Sequence, residues 1–205
     1  MHKIGVVLGT GPSLAGQREQ IIEMRKQDKI RIYGINRTFE DFPVDVLICC
    51  DPSFHAHYGK MEGDFDHYHW DKAICDKYGY KYIEGRWEDG LSTDPNYISF
   101  GHSSGWQALN LAVHHGCEPI LLAGYDMSYD SATRHYFTGL SEVEGEYPEP
   151  LRKWSLFDKP DKTGLLYDYA HIADQCRRGE VPAIYNCTAR SALKCFPMRE
   201  LSDFA

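Results

Sequence analysis

Two short polar turns in this chain have residue types that suit anion binding. The first, GTGPS at residues 9–13, follows the apolar run KIGVVL at residues 3–8. Glycines between a strand and a helix let backbone N–H groups approach a phosphate at the positive end of the helix, and Pro12 and Ser13 suit its start. The turn is not the dinucleotide fingerprint, because Leu14 stands where its third glycine belongs, and no Walker lysine follows. A phosphate-binding turn and a purely structural turn both remain open.

The second turn reads HSSG at residues 102–105 and precedes a helix expected from about Ser104 to His115. It places two hydroxyls and several free N–H groups at a helix N-terminus. An ordinary N-cap accounts for one serine, Ser103 or Ser104, but does not require both. We therefore expect a second anion-binding turn here.

Polar residues end three further predicted strands. The runs IRIYGIN, VDVLICCD and EPILLAGYD stop at Asn36, Asp51 and Asp126. Ligands of open parallel sheets bind beyond the carboxyl ends of the strands, so we expect these side chains on the same edge as the two turns. Asp126 is open to several roles: binding ribose hydroxyls, supporting a catalytic group, holding a metal ion or capping a turn.

Four histidines occur in two closely spaced pairs, which would suit a metal site. The histidines and the carboxylates near them are His55, His57, His67, His69, Asp51, Asp64 and Asp66. The segment has no clear strand period, and the rings of Tyr58, Tyr68 and Trp70 fit a polar aromatic loop better. We therefore predict no metal site.

The elements that must position these groups alternate between strands and helices. Helices are predicted over residues 14–27, 104–115 and 165–178, and a last strand over residues 182–187. This alternation predicts a Rossmann-like, doubly wound α/β fold with a mostly parallel sheet of six or seven strands.

Two regions interrupt the alternation. The pattern weakens at about residues 52–96, which we interpret as an insertion. It is absent at about residues 127–164, whose length and many aromatic rings indicate a lid. Residues 1–205 are therefore expected to form a single nucleotide-binding domain that carries an insertion and a lid.

Length and composition limit the class of protein. With 205 residues, 42% of them hydrophobic, the chain is long enough for one sizeable core and has no apolar run that would span a bilayer. Seven cysteines without a CxxC pair favour a reducing cytoplasm. The net charge of −8 disfavours nucleic acid or an anionic membrane as a partner. Nucleic acid as an acceptor and a homo-oligomer both stay open.

Taken together, the motifs resemble one known group of enzymes. In chain order they are GTGPSL after the first strand, Asn36 after the second, DPS at 51–53, SSGWQAL at 103–109 and ILLAGYDMSY at 120–129. They look like the bacterial sialyltransferases of glycosyltransferase family 42 and their relatives, the motility-accessory flagellin-glycosylation proteins and the archaeal hydroxymethylpterin diphosphokinases. The late segment IYNCTARSALKCF resembles the strand and turn that follow the lid in the sialyltransferases. The match covers most of the chain in order, although each motif is short.

The resemblance implies a nucleotide pocket built from both turns. The residues that it implies for the donor are Gly9, Thr10, Gly11, Ser13, Asn36, Asp51, Ser103, Ser104 and Gly105. The sialyltransferases have asparagine where this chain has Asp51, and threonine-serine where it has Ser103-Ser104. A carboxylate at Asp51 would repel an anionic sialic acid, which argues against CMP-sialic acid as the donor.

The resemblance also implies a histidine base and tyrosines that bind the leaving phosphate. The candidate bases are His135, in the predicted lid, and His171, on the helix that follows it. Asp126 is the third candidate catalytic residue. The candidate tyrosines are Tyr136, Tyr129 and Tyr147.

We therefore predict a glycosyltransferase-like enzyme that moves a sugar from a nucleotide-sugar donor to a hydroxyl-bearing acceptor. No cofactor is expected beyond that donor. One alternative is a Mg²⁺-dependent diphosphokinase acting on a small hydroxymethyl substrate, with Asp51 and Asp126 as candidates to hold magnesium. A second alternative is a non-catalytic nucleotide-binding module.

Overall fold

The computed structural model describes residues 3–101, 103–127, 136 and 165–205. The strands are β1 (Ile4–Leu8), β2 (Ile30–Ile35), β3 (Val46–Ile48), β4 (Asp66–His69), β5 (Lys81–Tyr82), β6 (Glu84–Arg86), β7 (Tyr97–Ser99), β8 (Ile120–Ala123) and β9 (Ile184–Asn186). The α-helices are α1 (Leu14–Lys26), α2 (Pro52–Tyr58), α3 (Lys72–Tyr78), α4 (Ser104–His114) and α5 (Leu165–Arg178). Short 3₁₀ helices cover Asn36–Glu40 and Leu201–Phe204.

Seven of these strands form one parallel sheet in the order β5-β4-β3-β2-β1-β8-β9. Its central strands are the continuous apolar runs of the sequence, as expected for strands covered on both faces. Val6 of β1 lies in register with Ile32 of β2 on one side and Leu121 of β8 on the other. Strands β6 and β7 pair separately as a parallel ribbon. The predicted Rossmann-like α/β fold with a parallel sheet of six or seven strands is confirmed.

Helices cover both faces of the sheet, because successive side chains of a strand point to opposite sides. Val7 and Leu122 belong to the core that contains α4 and α5, whereas Val6 and Leu121 belong to the core that contains α1. All four side chains are fully buried. Each such side chain stabilises the fold by roughly 1.5–3 kcal/mol relative to exposure.

Helix α4 is the most deeply buried helix of the described chain. Every residue from Ser104 to Ala112 is buried, as expected for a helix whose surface is apolar nearly all round. The helix packs on β1, β2 and β3 of the main sheet and also on β7 of the ribbon. It therefore joins the two sheets, and its N-terminus lies near the carboxyl ends of their strands.

The segment predicted as an insertion, about residues 52–96, instead extends the main sheet. It contributes α2, β4, α3 and β5, of which β4 and β5 are strands of that sheet. Strand β4 reads DHYH, and its buried positions are His67 and His69 in place of aliphatic residues. A pattern based on apolar residues misses such a strand.

Helix α3 shows why the local sequence folds as it does. Asp71 caps its N-terminus by accepting hydrogen bonds from Ala73 N (2.8 Å) and Ile74 N (3.4 Å). Gly79 ends it at φ = 77°, a left-handed conformation that favours glycine.

The predicted lid, about residues 127–164, falls almost entirely outside the described residues, and only Met127 and Tyr136 of it are described. Across the ranges that are described, no helix has the length and apolar character needed to cross a membrane.

Candidate functional site

The carboxyl ends of β1 and β8 form the topological switch point of the sheet. From β1 the chain continues to β2 on one side, whereas β8, although adjacent to β1, continues to β9 on the other. Ligands of doubly wound folds bind in the crevice at this position. The turn at residues 9–13 follows β1 here, and Gly124, Tyr125 and Asp126 follow β8.

The glycines of the first turn permit a close approach of the two strand ends. Gly9 N donates to Ala123 O (2.7 Å), and Gly11 N donates to Gly124 O (2.9 Å). A Cβ atom at Gly9 would overlap the Gly124 carbonyl, and one at Gly11 would overlap the Asp126 carboxylate. Packing against β8 therefore requires both glycines.

Asp126 uses its side chain to cap the first turn of α1. Its Oδ2 accepts a hydrogen bond from Ser13 Oγ at 2.8 Å, and both carboxylate oxygens lie 3.4 Å from Ser13 N. The negative charge is favourable at this helix N-terminus. The turn was predicted to offer its donors to a phosphate, but a carboxylate of the protein already occupies those of Ser13.

Buried polar residues after β9 fix the position of Asp126. Thr188 Oγ1 accepts a hydrogen bond from Tyr125 N (2.9 Å), and Ser191 Oγ donates to Tyr125 O. Ala192 N donates to the Asp126 carbonyl at 2.8 Å. The late segment IYNCTARSAL thus holds the Tyr125–Asp126 backbone at the switch point, which leaves the carboxylate little freedom to move away.

The two serines of the second turn have distinct structural contacts. Ser103 is the N-cap of α4, and its Oγ accepts a hydrogen bond from Trp106 N (3.2 Å). Ser104 Oγ accepts from Cys50 N (3.1 Å) and so ties α4 to the end of β3. Within the described part of the chain, the N–H groups of Ser104 and Gly105 have no hydrogen-bond acceptor. These N–H groups therefore remain available to an anion.

Asn36 and Asp51 lie at the ends of β2 and β3 on the same edge of the sheet. Asn36 adopts φ = 48°, which is unusual for a residue other than glycine, and its Oδ1 accepts a hydrogen bond from Cys49 Sγ (3.1 Å). Burial raises the pKa of both the Cys49 and the Cys50 thiols, so both stay protonated near neutral pH. Asp51 is half-buried and precedes α2.

Tyr136 brings the predicted lid to this edge. Its backbone N–H donates to Thr10 O at 2.9 Å, and its hydroxyl donates to Arg37 O at 3.4 Å. The ring packs edge-on against Phe42, with centroids 6.0 Å apart. Burial raises the pKa of the Tyr136 hydroxyl, which therefore remains protonated and able to donate.

The chain matches no protein-family model, and no curated protein or solved structure matches it. The likeness of its motifs to the sialyltransferases and their relatives therefore remains a resemblance. What the site can do has to be judged from its geometry.

Sequence reasoning missed two residues that shape this edge. Arg37, directly after Asn36, places a cation here and pairs with Glu40 at 2.6 Å. Gln17 of α1 accepts a hydrogen bond from Gly124 N (3.0 Å) and donates to Cys187 O (2.6 Å), so it joins β8 to the end of β9. The position of Arg37 directly after a predicted strand could have identified it from the sequence. Nothing in the local sequence distinguished Gln17.

The structure describes only one of the two candidate histidine bases. His135 lies outside the described residues, as do Tyr129 and Tyr147. His171 lies on α5 and lines a cavity with Trp87, Trp106 and others, none of which belongs to the turn at residues 9–13. The structure therefore does not bring His171 to the switch point.

The histidine pairs converge in part, but as a buried aromatic cluster. The ring of His55 lies 5.7 Å from that of His67 and 4.8 Å from that of His69, and His67 stacks on Tyr80 at 3.6 Å. No group of three His, Cys, Asp or Glu side chains among the described residues has a geometry that could hold a metal ion.

A hydrogen bond fixes the tautomer of one ring in the cluster. His69 Nδ1 accepts a hydrogen bond from Asp71 N (2.8 Å), so the proton of the neutral ring lies on Nε2 and blocks that nitrogen as a ligand. Burial lowers the pKa of His69 to about 4 and that of His67 to about 3, so both rings are neutral at pH 7. These residues lie in the core.

Proposed function

We propose that this protein is a group-transfer enzyme that binds a nucleotide-sugar donor at the switch point and moves the sugar to a hydroxyl acceptor. The observation that carries the proposal is the gathering of two helix N-termini, those of α1 and α4, and the polar side chains of Asn36, Asp51 and Asp126 on one edge of the parallel sheet. Such an edge suits a ligand that carries both phosphate and hydroxyl groups.

The two turns have different parts in this proposal. The N–H groups of Ser104 and Gly105 at the start of α4 bind the donor phosphate. The Asp126 carboxylate, held by Ser13, would repel a bare phosphate but can accept hydrogen bonds from sugar hydroxyls. Asp126 therefore faces the ribose or the transferred sugar.

The reaction breaks the bond between the anomeric carbon and the phosphate oxygen, and the phosphate leaves with the electron pair. The acceptor oxygen forms the new bond to the anomeric carbon, and its proton passes to a base. His135, adjacent in sequence to Tyr136, is the proposed base because Tyr136 contacts Thr10 of the first turn. The N–H groups at the start of α4 stabilise the charge that develops on the leaving phosphate.

Product analysis with a donor panel tests the proposal. The folded protein is incubated with CMP-, UDP- and GDP-linked sugars and with ATP, and the nucleotides released are separated and quantified. Glycosyl transfer or slow donor hydrolysis releases CMP, UDP or GDP from one donor class. No release from any sugar nucleotide, with the protein folded throughout, would contradict the proposal.

A specific observation favours one alternative, a Mg²⁺-dependent diphosphokinase. The Asp126 carboxylate lies at the α1 N-terminus, where a magnesium ion could bridge it to a phosphate. The fit is incomplete, since no set of three ligating side chains occurs among the described residues. Conversion of ATP to AMP that stops on adding EDTA would support the diphosphokinase. Nucleotide binding without any turnover would support a non-catalytic module.

A further inference from the structure

A cavity of about 270 Å³ lies beside α5, and the turn at residues 9–13 contributes none of its lining residues. We call it the second cavity, to distinguish it from the switch-point edge. Its walls come from the segment after β6, from the turn before α4 and from one face of α5. The lining residues are Trp87, Glu88, Asp89, Gly90, Gly101, Trp106, Asp168 and His171.

The segment that forms one wall is held by the half-buried side chain of Gln175 and the buried side chains of Ser99 and Asn110. Gln175 of α5 accepts a hydrogen bond from Leu91 N (2.7 Å) and donates to Leu91 O (3.0 Å). Ser99 Oγ donates to Glu88 O at 2.8 Å, and Asn110 accepts from Ser92 N at 3.0 Å. The backbone of residues 87–92 is therefore fixed, and this fixes the places from which its side chains project.

Glycines keep the cavity open. Gly101 has φ = 49°, and a Cβ there would overlap the indole of Trp106, so only glycine lets that ring form the floor. Gly90 has φ = 77°, and its Cβ would overlap the Gln175 amide. These features make the cavity a built part of the fold.

The chemistry of the walls combines an aromatic surface with acids. Trp87 is 72% exposed and its ring lies 5.1 Å from that of Phe100. An indole face packs well against the C–H groups of a sugar ring, while carboxylates accept hydrogen bonds from its hydroxyls. The three acids Glu88, Asp89 and Asp168 would repel an anionic ligand and attract a cationic one.

We propose that this cavity binds a single pyranose ring that is neutral or carries an amino group. Its volume of about 270 Å³ lies just below the range of roughly 300–1,000 Å³ that is usual for ligand pockets, which suits a single ring better than an oligosaccharide. If the proposed function holds, this ring is the acceptor. The binding is measured without nucleotide and so can be tested apart from the proposed function; Gly101 and Trp106 of the lining flank the second turn, whereas the turn at residues 9–13 contributes no lining residue.

The test measures sugar binding to the full protein without nucleotide, by ligand-observed NMR titration. The probes are the methyl pyranosides of glucose, galactose and mannose, each as the neutral sugar, the 2-amino sugar and the uronate. Variants are Trp87→Leu and, as a matched control, Tyr82→Leu, which removes another exposed ring outside the cavity. Circular dichroism verifies that both variants fold.

We expect at least one neutral or amino pyranoside to bind with a Kd of about 1–10 mM, a range normal for a single ring. The uronate of the same ring should bind about tenfold more weakly, Trp87→Leu should weaken binding about tenfold, and Tyr82→Leu should leave it unchanged. No binding at about 50 mM, equal binding of the uronate, or unchanged binding by Trp87→Leu would overturn the proposal.

The two proposals fail in different ways. Sugar binding that depends on Trp87, together with no nucleotide release in the donor panel, would retain the cavity and remove the glycosyltransferase. Nucleotide release with no pyranoside binding, and with the same acceptor KM in Trp87→Leu, would retain the enzyme and remove the cavity as its acceptor site.

Discussion

The switch-point edge and the buried histidine cluster differ in whether their polar groups are hydrogen-bonded. At the edge, the Asp126 carboxylate is paired with Ser13, and the Ser104 hydroxyl is paired with Cys50. In the cluster, His55 Nδ1, His69 Nε2 and both ring nitrogens of His67 are buried and have no hydrogen-bond partner among the residues that the structure describes. Paired groups keep their geometry at low cost, whereas unpaired buried nitrogens strongly disfavour a charge. The edge is thus preorganised, and the cluster is one acid-sensitive part of the fold.

The largest expected effect is a loss of stability in acid. The folded pKa values of His67 and His69, about 3 and about 4, lie below the value of 6.5 for an unperturbed histidine, so the unfolded chain binds more protons as the pH falls. Each histidine lowers the free energy of unfolding by up to about 1.4 kcal/mol per pH unit from pH 6.5 down to its folded pKa. Above pH 6.5 it has no such effect. Urea unfolding between pH 7 and pH 4.5 measures the slope.

His67→Phe is the matched variant for that measurement, because a phenyl ring can keep the stack on Tyr80 without titrating. The slope should decrease by the contribution of about one proton. If the free energy of unfolding of the wild type stays constant from pH 7 to pH 4.5, the fold does not disfavour the charged form of these histidines. The two regions would then not differ in their response to acid.

Gly9→Ala should cost about 3 kcal/mol or more, because its Cβ would overlap the Gly124 backbone and neither strand end can shift easily. Gly16→Ala, inside α1 with open space around it, is the control and should stabilise by about 0.5–1 kcal/mol. Equilibrium urea unfolding gives both values. Equal effects of the two substitutions would mean that the first turn does not pack tightly against β8.

A double-mutant cycle sharpens the description of the edge. Ser13→Ala and Asp126→Asn should each lower stability, with a coupling energy of about 1–2 kcal/mol, since a hydrogen bond to a charged group is stronger than a neutral one. Thermal or urea unfolding of the four proteins yields this coupling. Strictly additive effects would indicate that the carboxylate does not cap α1.

His135→Ala tests the base that was predicted from the resemblance. Turnover should fall by roughly 10²–10⁴-fold while nucleotide affinity stays nearly constant, because the base acts on the acceptor proton. His171→Ala should have a smaller effect on turnover than His135→Ala. It should change the KM for the acceptor more than kcat, because His171 lines the second cavity. A large fall in kcat for His171→Ala alone would reverse these assignments.

Local sequence patterns predicted the central strands because the apolar residues of each strand are continuous. They predicted α4 because apolar residues surround that helix. They missed β4 because histidines replace aliphatic residues in its core positions. The contact between Ser13 and Asp126 joins residues 113 positions apart, so no local pattern could reveal that the carboxylate occupies the first turn. The second cavity likewise depends on Gln175 and Asn110, which position a segment far from them in the chain.

Calorimetry with nucleotides tests the central claim most directly, namely that the switch-point edge binds a nucleotide. CMP, UDP, GDP and ATP are titrated into the wild type, Asp126→Asn and the control Asp168→Asn, whose side chain lines the second cavity. One nucleotide should bind the wild type with a Kd below about 1 mM, and Asp126→Asn should change that Kd about fivefold or more while Asp168→Asn leaves it unchanged. A folded wild type that binds none of the four, or an affinity that changes with Asp168→Asn and not with Asp126→Asn, would contradict the account.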